Sequence, residues 1–290
     1  MKKIPALILP AWLALASLPL LHAEDSVKLF ESSKDAEEGQ RHTVQLSAPQ
    51  VSFDVDFLLL NGSGEGAGDP NVAAVSVNNM PSAPTLAFNV AGSQFTLAQQ
   101  PFTTQALKND PDKKGFQARW ELPGGNVILT LVANDTDPVL FGRVRVERGE
   151  PSRIILLIAP GGHAPAEEDR DRWVFFEGGD FAHGEEQRPM TSNWLLLYDK
   201  LLDPESSQVG KGAAGLLWDA PPDSNISFQC DSYVSTLTVN APAGDTDFDF
   251  ILWPFTGVPN ESAKAEIKER GPALLEAFSK TKSQLFAPAR

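Results

Sequence analysis

The sequence predicts an all-β chain, a large antiparallel β-sandwich ending in a short helical C-terminal tail. Three observations predict it. About fifteen short runs rich in branched and aromatic residues are separated by Gly, Pro, Asn and Asp, the punctuation of strands and turns. Helix formers gather only after residue 260. No Pro- or Ser-rich linker divides the strands, so residues 24–260 read as one sandwich domain and residues 261–290 as its tail.

The elements follow in order. Lys2 and Lys3 precede an apolar run from Ile4 to Leu21, and Leu21-His22-Ala23 places a small residue before a cleavage point. This is the pattern of a secretory signal peptide over residues 1–23, with Glu24 as the new N-terminus. Pro5, Pro10 and Pro19 oppose reading the run as a membrane anchor. No later stretch reaches the ~20 apolar residues of a membrane helix. The expected product has no membrane span after signal cleavage and is exported, periplasmic or extracellular. One cysteine in 290 residues suits a bacterial envelope better than a disulfide-forming secretory route. Cys230, near Phe228 and Tyr233, reads as a small buried hydrophobe.

His42 to Leu46 and Val51 to Leu60 are the first strands of the body. Asp54 and Asp56 alternate there with Phe53, Val55 and Phe57, the period of a half-buried strand. Asn61 to Asp69 is a glycine loop with no following Lys-Ser/Thr and no helix, so it reads as a turn and not a phosphate loop. Val72 to Val77, Thr85 to Val90 and Gln94 to Leu97 are short strands. Phe116 to Leu122, Pro123-Gly124-Gly125 and Asn126 to Val132 form a hairpin. From Val139 to Glu147, Leu140, Gly142, Val144 and Val146 share one face while Arg143, Arg145 and Glu147 share the other. Arg153 to Ala159, Trp173 to Phe176, Trp194 to Tyr198, Ala213 to Trp218, Ile226 to Cys230, Tyr233 to Asn240 and Asp247 to Trp253 complete the strands. Asn260 or Ser262 can cap a helix over Ala263 to Arg270, and Gly271-Pro272 reads as a break before a second helix from Ala273 to Lys282.

Composition excludes several functions. Hydrophobic residues are 42% and charged residues 21%, enough apolar material for a core. The net charge is −14, and −16 without Lys2 and Lys3, which excludes a nucleic-acid binder dependent on basic surface. A lone cysteine excludes an intrachain disulfide and a cysteine zinc cluster. The tail, with six basic and four acidic groups, is cationic against an acidic body, and its Leu274, Leu275 and Phe278 can pack onto the sheet.

The densest chemistry lies between Gly161 and Arg188, with eight carboxylates and three arginines around a short strand. Glu167, Asp169 and Asp171 are the candidate metal ligands, because a hard cation such as calcium takes several carboxylate oxygens. His163 and His183 with a carboxylate would suit zinc or iron, but their spacing matches no standard motif. The same stretch fits a solvated acidic loop. Trp173, Trp218, Glu177, Asp180 and His183 are the candidate ligand-binding residues: aromatic faces pack on sugar CH groups and acids accept hydroxyl hydrogens. Core packing is the commoner use of such rings. Asp245, Asp247 and Asp249 share one strand face, the pattern of the wet side of an edge strand or of a cation site.

The run from Phe116 to Pro160 resembles a piece of the galactose-mutarotase-like β-supersandwich of carbohydrate-active proteins. The likeness rests on Gln117-Ala-Arg-Trp-Glu-Leu-Pro-Gly-Gly-Asn126, the strand to Val132, the turn Asn134-Asp-Thr-Asp-Pro138 and the alternating strand to Val146. It implies a supersandwich and a carbohydrate-related role. The family's catalytic His pair and Glu have no matching motif here, so no catalytic residue is carried over. The leading reading is an exported protein that binds or helps process carbohydrate at the cell envelope. A glycoside hydrolase or lyase using two carboxylates is an alternative, because such acids need not be close in sequence. A non-catalytic domain docking on a protein partner is a third reading. No Gly-x-Ser-x-Gly elbow is present.

Overall fold

The computed structural model describes residues 27–36, 39–60, 75–77, 85–90, 100–110, 112–122, 124–149, 152–158, 172–182, 188–200, 203, 212–230 and 235–287. The strands are β1 (Lys28–Ala36), β2 (Gly39–Ser47), β3 (Ser52–Leu60), β4 (Val75–Val77), β5 (Thr85–Val90) and β6 (Phe102–Asp110). Then come β7 (Lys113–Leu122), β8 (Gly125–Asn134), β9 (Leu140–Gly149), β10 (Ser152–Ile158), β11 (Arg172–Phe176) and β12 (Gly179–Ala182). The last are β13 (Arg188–Pro189), β14 (Trp194–Asp199), β15 (Gly212–Asp219), β16 (Asn225–Cys230), β17 (Ser235–Ala241) and β18 (Gly244–Thr256), before the helix α1 (Asn260–Leu285).

Among the described residues these strands form two nine-stranded sheets. The first runs β1-β2-β3-β4-β5-β10-β17-β16-β13 and the second β12-β11-β14-β15-β18-β9-β8-β7-β6. Neighbours pair antiparallel, so the fold is the expected all-β sandwich with a C-terminal helix. Phe53, Phe57, Phe116, Trp120, Trp218, Phe228, Phe248 and Phe250 fill the space between the sheets. The Phe116–Leu122 hairpin stands as expected, with β7 and β8 in register from Lys113↔Asn134 to Leu122↔Gly125. Gly142 lies opposite Phe250, where an added Cβ would stand 2.1 Å from the ring.

A second apolar layer lies on the other face of the second sheet. There Trp194, Leu196, Tyr198, Leu217, Ile251, Trp253 and Phe255 pack against Ala263, Ile267 and Phe278 of α1. Burial on both faces explains why β14 and β15 read as unbroken apolar runs. Gly215 lets the helix sit close, since a Cβ there would come within 2.9 Å of Ile267.

The structure corrects two expectations. Gly271-Pro272 does not divide the tail: α1 is continuous, with Pro272 inside it. Proline removes one backbone hydrogen bond, to the Lys268 carbonyl, and packing of Ile267, Gly271 and Phe278 on the sheet holds the turn together. The helix begins without a side-chain cap of its own. The Asn260 N–H instead donates to the Asp203 carboxylate at 3.3 Å, and its side-chain amide donates to the Asp199 carbonyl at 2.9 Å.

The second correction concerns Asp247 and Asp249. They share a face, but β18 lies between β15 and β9 and is no edge. The register sets Asp247 opposite Arg145 and Asp249 opposite Arg143. Asp249 is fully buried, accepts two hydrogen bonds from Arg143 at 2.6 and 3.0 Å, and pairs with Lys282 of α1 at 2.9 Å. Burial works against charge on Arg143 and on Lys282, but the carboxylates facing them hold both pKa values above the ordinary ones. The cationic helix is thus tied to the acidic sheet.

Candidate functional site

A groove of about 810 Å³ opens between one side of α1 and the β11–β12 hairpin. The helix contributes Lys268, Pro272, Leu275, Glu276 and Ser279. Their spacing places them in one stripe beside the buried stripe of Ile267, Gly271 and Phe278. The opposite wall comes from Phe175 and Phe176 at the end of β11 and from Glu177 and Gly179 at the hairpin turn. Gly179 takes φ +110°, a backbone region that an L side chain rarely enters, and so makes this tight turn possible. Thr191, Ser192, Asn193 and Trp194 form the floor where the chain enters β14.

The local packing is specific. Phe175 and Trp194 meet with ring centroids 5.6 Å apart, and Phe176 meets Phe181 edge-on at 5.2 Å. Ser192 is buried and donates to the Trp194 carbonyl at 3.0 Å. The Trp218 N–H donates to the Asn193 carbonyl at 3.0 Å. Glu177, Thr191, Asn193 and Glu276 are exposed and face the opening. A hydrogen bond from Lys280 holds the Glu276 carboxyl below its ordinary pKa. The groove therefore presents half-buried rings beside ionised and neutral polar groups, a surface that can bind a polyhydroxylated molecule. Glu276 accepts a hydrogen bond from Lys280.

A clamp lies behind the groove. The Tyr198 hydroxyl donates to Asp180 at 3.0 Å, and the Lys264 ammonium lies 3.2 Å from Asp180 and 2.8 Å from Glu261. Lys264 also sits 4.2 Å from the Tyr198 ring centroid. Burial pushes the Tyr198 pKa up to about 12. Burial opposes charge on Lys264, yet Glu261, Tyr198 and Asp180 raise its pKa. The clamp fastens the start of α1 to β12 and β14.

Among the expected ligand-binding residues, Glu177 lines the groove, while Asp180 is engaged in the clamp behind it. Trp218 lies between the two sheets at 1% exposure and presents no face to a ligand. Trp173 is half-buried, and the Lys200 ammonium covers its ring at 3.4 Å from the centroid. His183 and the proposed metal ligands Glu167, Asp169 and Asp171 lie outside the described residues, as do His163, the glycine loop of residues 61–69 and the strand expected at residues 94–97. No group of three or more potential metal ligands occurs among the described residues. Sequence reasoning passed over Phe175, Trp194, Lys268 and Glu276. Helical spacing of 268, 272, 275, 276 and 279 was the available signal, but the break expected at Pro272 divides that stripe.

No protein-family model and no curated protein matches the chain. Among solved structures, an alpha-N-acetylgalactosaminidase from Bifidobacterium bifidum superposes with a TM-score of 0.44 at 10% identity, over 88% of this chain and 41% of that one. A galactose mutarotase related enzyme from Lactobacillus acidophilus gives 0.40 at 8% identity, over 79% of this chain and 98% of the other. Heparan sulfate lyase from Pedobacter heparinus gives 0.40 at 10% identity, over 77% and 36%. The chain thus spans about two-fifths of the length of the first and less of the third. The family that the Phe116–Pro160 run resembles recurs among these structures. At such scores the likeness carries no activity over to this chain.

Proposed function

We propose that this protein is exported and binds carbohydrate at the cell envelope, in the groove between α1 and the β11–β12 hairpin. The observation that carries the proposal is the lining: half-buried Phe175 and Phe176 stand beside Glu177, Asn193, Lys268 and Glu276 in about 810 Å³. That volume lies within the usual span of ligand pockets, ~300–1,000 Å³. Sugar CH groups pack on the rings while hydroxyls donate to the carboxylates and accept from the amide and ammonium. The leader of residues 1–23 supports export.

The test is native affinity electrophoresis of residues 24–290 through gels holding neutral and acidic polysaccharides, with calcium and with chelator. Retardation is expected in at least one gel, with roughly tenfold weaker affinity in Glu177→Gln and Asn193→Ala, the loss of about one hydrogen bond to a charged or polar group. Loss of retardation with chelator shows that binding needs a divalent cation, for which Glu167, Asp169 and Asp171 are the proposed ligands. Migration unchanged in every gel overturns the proposal.

A further inference from the structure

A second constellation lies on the first sheet, away from the groove. The β1–β2 register places Ser33 directly opposite His42, with Glu31 two residues along on the same face of β1. The Ser33 hydroxyl is 2.7 Å from Nδ1 of His42, and Nε2 of the same ring is 3.6 Å from a Glu31 carboxylate oxygen. Rings on three sides fix the imidazole: Phe116 stacks on it at 5.8 Å, and Phe57 and Phe102 stand at 6.4 Å. Nε2 is shielded from solvent and has no hydrogen-bond partner among the described residues. Ser33 and His42 both line a cavity of about 450 Å³, with Leu59, Pro101 and Phe102 on its apolar side and Asp35, Gln40 and Thr104 among its polar groups.

From this geometry we propose that Ser33, His42 and Glu31 form a nucleophile, base and orienting carboxylate that cleave carboxylic esters with a short acyl group. A triad is defined by geometry and roles, not by sequence order, and the serine–imidazole distance is that of an activated nucleophile. The Glu31 contact is an ion-pair distance longer than a hydrogen bond, and the proposed role requires it to shorten. With the Nε2–H directed at Glu31, Nδ1 is free to accept the Ser33 proton. Oγ then bonds to the acyl carbon as that proton passes to Nδ1. The bond to the leaving alcohol breaks and the alkoxide takes the proton. A water deprotonated at the same nitrogen releases the carboxylic acid and restores Ser33. An inward-pointing Glu on an edge strand also guards against edge pairing, a role that would leave Ser33 inert.

The full chain is incubated with a fluorophosphonate probe and, separately, with 4-nitrophenyl acetate. A single adduct mapped to Ser33 is expected, absent in Ser33→Ala. The labelling rate should fall about 100-fold or more in His42→Gln, the usual scale of general-base assistance. Glu31 is a positioning residue, so Glu31→Gln should slow the bonding step about tenfold without changing the half-saturating probe concentration, and Glu31→Asp should recover part of the rate. Ser33 is exposed, so Ser33→Ala keeps the fold and carries the decision if His42→Gln does not fold. No adduct, an adduct at another residue, or an unchanged rate in folded His42→Gln overturns the proposal.

Discussion

Truncating Phe278 to Ala tests whether α1 is an integral layer of the sandwich. Phe278 is 2% exposed, stacks on Phe141 at 5.3 Å and meets Phe286 edge-on at 5.9 Å. Removing a fully buried Phe ring costs about 3–5 kcal/mol. Phe286 follows immediately after the helix and can settle into part of the space, which places the expected cost near the lower end, about 3 kcal/mol. In a domain of this size each kcal/mol moves Tm by roughly 2–4 °C, so a fall of about 6–12 °C is expected. Thermal unfolding is followed by tryptophan fluorescence, which reports Trp120 and Trp218 between the sheets together with Trp194 and Trp253 under the helix, and by far-UV circular dichroism. Both should shift together, because the helix covers one face of the sheet whose other face forms the main core. A sandwich melting within about 1 °C of the parent, while only α1 amides lose exchange protection, would refute the reasoning.

Two further outcomes follow from the charged residues. Asp249→Ala should cost about 2–4 kcal/mol in urea unfolding, because it strips Arg143 and Lys282 of a buried partner, although both keep some solvent and other carboxylates; an unchanged midpoint would count against the network. Tyr198 should hold its proton to about pH 12, where an ordinary phenol titrates near ~10. The unfolded chain then binds fewer protons than the folded one between those values. This contribution is constant below about pH 10 and is lost as pH rises toward 12. Absorbance at 295 nm, with Tyr198→Phe subtracting the chain's other tyrosine, Tyr233, checks it; an ordinary midpoint for Tyr198 would contradict the clamp.

Much of the fold was legible in the chain. Strands with a buried face announced themselves by alternation, as in β9, or by continuous apolar runs, as in β14 and β15. The strands that escaped notice were β1, β6, β12 and β13, and these are the four edges of the two sheets. An edge strand pairs on one side only. Its side chains can be polar, as in the Lys28–Ala36 run, so no hydrophobic period betrays it. The acids of β18 show the opposite failure. Alternation put Asp247 and Asp249 on one face, but only the neighbour in the sheet, β9, showed that Arg143 and Arg145 stand against them.

The same division holds at the candidate sites. Residue type and spacing alone determined the strand-rich body, the cationic helical tail, the acid-rich middle and the pairing of aromatic with acidic residues that suggests sugar chemistry. Those properties are local, because side-chain periodicity and backbone preference act within a few residues. Tertiary structure alone decided that Trp218 is core, that Asp180 clamps a helix about eighty residues further along the chain, and that Glu276 faces Glu177's hairpin across a groove. It also brought Ser33 to His42 across a hairpin. Burial, hydrogen-bond partnership and concavity depend on which distant segments meet, and that is set by packing two sheets and a helix together.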